Sequence, residues 1–380
     1  MLFKPLPKIR SKRKTLKNIH NSIVNKKISI NVLKKKEFPY YNLFVSKSKI
    51  MNDLKNLSNY NPQYLKYNPI KRNIRNFQNR LVIFKEDYDR NKELYRITEY
   101  FSQQCRMKCI NNLKSSESPF DYYQNNQDKM YNDLAKLKDT KKTMMKTMLK
   151  TMKKNQTEKN SNTALISISY EDVNEYLYKN TKMCTNFRTT IILSLLKFFK
   201  VKRYLDPSAG WGDRLIGAIA YGCEYTGIDP SVCMNPVYHQ IIKELVPKSQ
   251  QDKYKIIQSG FEVVEVENNY YDLVFTSPPF FDFEIYESNN AQSISQFNSL
   301  DKWLNGFLYK LIEKSYNALI VGGHLGLYIS DYTGVSFTDK MLEYVKNNIK
   351  GFEYQGDIHF WDYQNKNVVR SIFFWKKKTF

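Results

Sequence analysis

Histidine is nearly absent from this chain, with 4 among 380 residues, and cysteine is scarce, with 5. The cysteines (Cys105, Cys109, Cys184, Cys223, Cys233) are odd in number and irregularly spaced. No disulfide framework is therefore expected, and a reducing, intracellular compartment is. Cys105 and Cys109 would share one helix face. A metal site would need further ligands, and His20, His239, His324 and His359 all lie far off in sequence, so buried helix cysteines are the simpler reading. No run of 18 apolar residues occurs, and no membrane span is expected. The first twenty residues lack the apolar stretch of a secretory signal. No Ser-His-Asp array, paired carboxylates or metal cluster stands out.

Acidic residues are short in one half only. Residues 1–160 hold 37 Lys/Arg against 13 Asp/Glu, a net of +24, while residues 161–380 hold 23 against 24, a net of −1. An AT-rich viral or parasite genome would favour Lys, Asn, Tyr and Ile, but would not make the basic excess stop near residue 160. A near-neutral half joined to a strongly basic one suits a polyanion partner, either nucleic acid or an anionic membrane, with nucleic acid the favoured reading.

The composition divides the chain at residues 92 and 162. Residues 1–50 are basic with little periodicity and read as a flexible arm. In 70–81, Ile70, Ile74, Phe77 and Leu81 recur at helical spacing, and Lys71, Arg72, Arg75 and Arg80 would lie on the outer face. That face could track phosphates or be merely solvated. Residues 93–131 repeat apolar positions with helical period and read as a helical accessory piece that packs on the rest. Lys-Thr-Met then recurs every four residues at 142–144, 146–148 and 150–152, a low-complexity basic stripe able to meet a membrane surface, RNA or a partner.

From residue 163 the pattern alternates. Strands are expected over 203–208, 224–228, 254–258, 272–276, 324–330, 353–361 and 369–376, with helices over 191–199, 212–221, 234–245, 297–318 and 336–348 between them. This is the rhythm of βα units in a parallel sheet. Ligands in such sheets sit outside the carboxyl ends of the strands. Those ends carry Asp206-Pro207-Ser208-Ala209-Gly210-Trp211-Gly212, then Asp229-Pro230, and then Ser277-Pro278-Pro279-Phe280.

These three motifs, in this order, resemble S-adenosylmethionine-dependent amino-methyltransferases, which methylate adenine N6 or cytosine N4 in nucleic acids. The resemblance covers roughly residues 180–380. It implies an α/β fold with a seven-stranded Rossmann-like class I methyltransferase sheet, here with a basic, mainly helical N-terminal extension. It also implies S-adenosyl-L-methionine as cofactor and DNA or RNA as substrate. Asp206, Pro207, Ala209, Gly210 and Gly212 would line its methionine portion, and Asp229 would accept the ribose hydroxyls. Ser259, or Gln258, would stand where the family often places an Asp or Asn for the adenine amino group. Thr185, Asn186 and Phe187 match, by position alone, a segment that folds over the cofactor's methionine end.

Two consecutive prolines cannot lie inside a ladder, so Pro278 and Pro279 stiffen a turn beyond the strand. Ser277 Oγ and the Pro278 carbonyl could accept the two N–H groups of an exocyclic amine, and Phe280 could stack the base. Phe281, Phe283 and Tyr286 would add aromatic surface or simply pack. Serine at the first motif position tilts toward cytosine and the motif order toward adenine, so the base stays open. Two other readings remain: methylation of a protein amide, and a non-catalytic nucleic-acid-binding protein on the same fold.

Overall fold

The computed structural model describes residues 37–65, 82–86, 88–112, 115–152, 168–286, 292–362, 367–368 and 371–379. The cationic positions Lys71, Arg72, Arg75 and Arg80 lie outside these residues. The chain forms two units, one of residues 1–39 and 123–177, the other of 40–122 and 178–380. Among the helices are α1 (Lys47–Ser58), α2 (Tyr88–Arg106), α3 (Pro119–Met152), α4 (Tyr170–Thr181), α5 (Thr189–Phe199), α6 (Asp213–Tyr221) and α7 (Met234–Leu245).

In the first unit, Phe38 packs its ring 5.1 Å from Tyr123, whose hydroxyl donates to Glu37 O at 3.0 Å. Tyr176 donates to Asp133 at 2.7 Å, and Lys138 pairs with Asp172 at 2.6 Å. The Lys-Thr-Met repeats lie on α3.

The second unit is built on one sheet. Its strands are β1 (Tyr64–Leu65), β2 (Val82–Glu86), β4 (Arg203–Asp206), β5 (Glu224–Ile228), β6 (Tyr254–Ile257), β7 (Tyr271–Thr276), β9 (Leu319–Tyr328), β10 (Phe352–Asp362), β11 (Asn367–Val368) and β12 (Ile372–Lys377). A separate pair joins β3 (Ile110–Asn111) to β8 (Glu284–Ile285). The sheet order is β1-β2-β10-β12-β9-β7-β4-β5-β6, with β11 beside β10. Strands β6, β5, β4, β7 and β9 run parallel, and β12 runs antiparallel to both β9 and β10. The seven strands from β6 to β10 have the mainly parallel order, with one reversed strand, expected of a Rossmann-like class I methyltransferase sheet. The chain winds outward one way from β4 through β5 and the other way from β7. That reversal makes β4/β7 the topological switch point, where such sheets bind ligands.

The seven expected strands all form, with ends moved by a few residues; β9 begins at Leu319 rather than 324. The single helix expected over 297–318 is instead broken into short helices at Ser293–Gln296 and Leu300–Trp303, a π turn at Leu304–Leu308, and a helix at Tyr309–Ala318. The N-terminal extension also departs from expectation. Residues 41–50 are not an arm: Tyr41, Val45 and Ile50 are buried, and α1 turns Ile50, Leu54 and Leu57 inward. Further on, β2 pairs in parallel with β10, Ile358 facing Val82, and lengthens the sheet beyond its seventh strand.

Helix α2 packs on α5, α6 and α7. Residues Thr189–Leu196 of α5 are buried all round, as its nearly unbroken apolar run requires. Gly217 of α6 lets α5 approach: a Cβ there would fall 2.3 Å from Ile192 Cγ2. The cysteines depart from the expectation of no disulfide. Cys105, in the last turn of α2, is bonded to Cys233 at the entrance to α7, while Cys109, Cys184 and Cys223 are buried and in no disulfide.

Candidate active site

Three adjacent strand ends meet at the switch point. The β4 end opens into the glycine loop, where Gly210 and Gly212 hold φ of +60° and +87°. A side chain is strained at either position. At Gly212 a Cβ would also fall 2.8 Å from Ile241 Cδ1. The loop is laced to its neighbours. Ala209 N donates to Ile228 O at 3.0 Å, Gly210 N to Asp229 Oδ2 at 2.8 Å, and the Tyr238 hydroxyl to Gly210 O.

Asp206 is fully buried beneath this loop. Its Oδ2 accepts from Arg214 Nε at 2.8 Å and from the Tyr225 hydroxyl at 3.0 Å. Arg214 also donates through Nη2 to Ser208 O. Its guanidinium lies 5.7 Å from the ring centre of Phe187. Asp206 is thus spent on holding Arg214 and, through it, the loop. Phe187 is buried against Phe275 and Tyr328, with ring centres at 5.6 and 5.1 Å.

Asp229, at the β5 tip, is half-buried and takes one backbone N–H on each oxygen, from Gly210 and from Ser231 at 3.0 Å. The Tyr238 hydroxyl also lies against this carboxylate, which still has lone-pair capacity for a ligand hydroxyl. Burial pushes its carboxyl up to about 6, against the opposing pull of the two N–H donors. At the β6 end, Ser259 is half-buried and Gln258 exposed, with its Oε1 accepting from Asn235.

Beyond β7, Ser277 is half-buried, and its hydroxyl has no hydrogen-bond partner among the described residues. Pro278 is buried and Pro279 half-buried. Thr276 Oγ1 donates to Ser208 O at 3.4 Å, which ties this turn to the glycine loop. Phe280 departs from the stacking role expected of it. Only 7% exposed, it belongs to the apolar core and lies 6.1 Å from Phe283, because the turn directs it beneath rather than outward. Phe281 holds φ of 48°, a left-handed conformation that costs a bulky residue strain and persists only where its surroundings impose it. Phe281 and Phe283 pack on Trp303 and Tyr332, with ring centres at 6.0 and 5.3 Å.

Two rings span the loops. Trp211, half-buried in the glycine loop, meets Tyr286 edge-on at 5.8 Å. The sequence reading gives Trp211 no role; its place between the two glycines is the signal that could have singled it out. A second group that sequence alone does not mark is Asp213, in the first turn of α6. Buried, with Oδ1 lacking a partner, it has its carboxyl pushed up to about 7 by burial, despite Thr98, Arg214 and Arg106. The neighbouring segment 184–186 is fastened to α2: Arg106 donates to Cys184 O at 2.7 Å and pairs with Glu99, which accepts from Asn186 at 3.4 Å. Among the described residues no group of three His, Cys, Asp or Glu could hold a metal, and no helix is long and apolar enough to cross a membrane.

No protein-family model matches the sequence, and no curated protein does. Among solved structures, the chain is similar to the 1,6-didemethyltoxoflavin-N1-methyltransferase of Burkholderia thailandensis with bound 1,6-didemethyltoxoflavin and S-adenosylhomocysteine, at 9% identity and a TM-score of 0.36, over 50% of this chain and 78% of that one. It is similar to TrmN from Thermus thermophilus at 14% identity and a TM-score of 0.35, over 50% of this chain and less than half, 48%, of that one. It is also similar to an rRNA methylase from Streptococcus thermophilus at 15% identity and a TM-score of 0.34, over 52% of this chain and 99% of that one.

Proposed function

We propose that this protein transfers a methyl group from S-adenosyl-L-methionine to an exocyclic amino nitrogen, adenine N6 or cytosine N4, of DNA or RNA. The observation that carries this reading is the juxtaposition at one switch point of the glycine loop, Asp229 and a Ser-Pro-Pro turn whose serine hydroxyl is unengaged among the described residues. The residues present suit the cofactor. Gly210 and Gly212 leave room for close backbone approach, and Asp229 has lone pairs in hand for a ribose diol. Pro207, Ala209 and Ser259 would complete its walls, and Asp206 would serve by fixing the loop through Arg214.

When bound, S-adenosyl-L-methionine supplies an electrophilic methyl on a sulfonium sulfur. The chain's own part is positioning. Ser277 Oγ and the Pro278 carbonyl accept hydrogen bonds from the two amino N–H groups and hold the nitrogen lone pair toward the methyl; the one proton that nitrogen sheds on methylation passes to solvent. Pro279 keeps the turn rigid, and Phe280 supports it from the core. A flipped-out or unpaired base would reach the turn, where Trp211 offers a half-buried ring. The basic residues Lys71, Arg72, Arg75 and Arg80 would hold phosphates.

Labelled cofactor offered to DNA, RNA and protein, followed by mass spectrometry of nucleosides, tests this. N6-methyladenine or N4-methylcytosine supports it. Methyl on a protein amide favours the alternative substrate class, and cofactor binding without transfer to any of the three favours a non-catalytic binding protein. Methyl on a ring carbon refutes the chemistry, because carbon methylation generally needs a cysteine nucleophile and none lies beside the Ser277 turn in sequence.

A further inference from the structure

The loop that follows the Ser277–Phe280 turn is held by a part of the chain far from it in sequence. Ile110 and Asn111 pair antiparallel with Ile285 and Glu284. Asn112 then donates twice, through its backbone N to Phe283 O at 3.1 Å and through Nδ2 to Asp282 O at 3.1 Å. Cys109 Sγ lies 3.0 Å from Tyr286 O, closer than its in-helix alternative, Cys105 O at 3.5 Å. The carbonyls of Asp282, Phe283 and Tyr286 thus all point at residues 109–112.

The same stretch is anchored on the cofactor side. Cys105, one helical turn before Cys109, is bonded to Cys233, which lies between Asp229 and α7. Residues 105–112 therefore form a bridge. One end is fixed next to the strand tip assigned to the ribose, and the other to the loop that carries Tyr286 toward Trp211. Phe281, at φ of 48°, lies just before the clamped residues. Such a conformation needs outside support, and the bridge supplies it directly to the residue after it.

The geometry points to residues 109–112 as the positioning element of the acceptor loop, with Asn112 and Cys109 as positioning residues that act through Asp282, Phe283 and Tyr286. They would set the gap between the Trp211–Tyr286 ring pair and the Ser277 turn, and with it the placement of the base. This rests on the proposed methyl transfer and adds a role for a segment that lies outside the methyltransferase sheet.

The test uses the full-length protein and the acceptor nucleic acid that it methylates. Asn112→Ala combined with Cys109→Ala removes two loop-holding donors and leaves every cofactor contact in place. It is expected to lower kcat about tenfold while cofactor affinity by calorimetry stays within about twofold. Cys109→Ser, which keeps a donor at that position, is expected to retain parental kcat within about twofold. A double variant with parental kcat overturns the inference, as does one whose loss lies wholly in cofactor affinity. Should the double variant fail to fold, Asn112→Ala alone decides, with a fall of about threefold expected and an unchanged kcat overturning the assignment. A parent protein that transfers no methyl at all would instead sink the proposed function, so the two failures are distinguishable.

Discussion

Arg214 and Asp206 form a buried ion pair, Nε to Oδ2 at 2.8 Å, and that pair underlies the glycine loop. Burial costs both charges their hydration, so the pair is stable only while complete. Asp206 lifts the guanidinium's affinity for its proton well above the ordinary arginine value, overcoming the effect of burial. Arg214→Met leaves the Asp206 carboxylate buried alone and should cost about 3–5 kcal/mol in denaturant unfolding. Replacing both by apolar residues should recover much of that loss, because no charge is then stranded. Equal losses in the single and double variants would mean that the pair does not act as a unit.

Asp229 gives cofactor affinity a pH dependence. Its carboxyl is pushed up to about 6 by burial, and a ribose diol is best accepted by the ionised form. Affinity should therefore fall as pH drops through about 6 and level off above it. Asp229→Asn should bind weakly and with no such titration. Calorimetry across this range is the check, and a flat profile for the parent would remove Asp229 from the site.

Asp213 makes stability itself pH-dependent, in the opposite sense. Its carboxyl is raised to about 7, so the folded state holds a proton that the unfolded chain releases near pH 4. That contribution is fully present below about pH 4 and is lost as pH rises through about 7, by on the order of 4 kcal/mol. Asp213→Asn should flatten this slope, measured as unfolding free energy against pH.

Ser277→Ala should lower kcat by about tenfold or more without changing cofactor affinity, because an acceptor aimed at the amine matters most as charge develops on nitrogen. Ser277→Asn or Ser277→Asp should retain part of the activity, since each still presents an acceptor oxygen. Single-turnover transfer with nucleoside readout is the measurement.

The basic segment should reveal itself through salt. Changing Lys71, Arg72, Arg75 and Arg80 together to Gln should flatten the log–log dependence of nucleic-acid affinity on salt by roughly 0.7–0.9 for each phosphate that is no longer neutralised. Cofactor affinity should not move. A slope indifferent to the change would mean that these charges face only solvent.

The parallel sheet and its motifs were legible because their signals are local. Alternating apolar runs and helical periods mark βα units, and Asp206-Pro207 and Ser277-Pro278-Pro279 end strands that a ladder cannot continue. Glycines at 210 and 212 in a turn announce positive φ, which they have. Thus the seven strands and the strand ends that carry the candidate site follow from the sequence read by itself.

What only the tertiary structure decided are meetings between residues far apart in the chain. Cys105 and Cys233 are separated by 128 positions, and no local pattern pairs them. Strand β2 carries no mark that would lay it beside β10, because an edge accepts a strand through backbone groups that every residue has. Phe280 reads as a stacking ring but packs inward, since the direction of a side chain after a proline turn is set by what fills the space below it. The support of the acceptor loop by residues 109–112 is likewise invisible in sequence, because those hydrogen bonds run from Asn112 and Cys109 to main-chain carbonyls, which carry no residue identity.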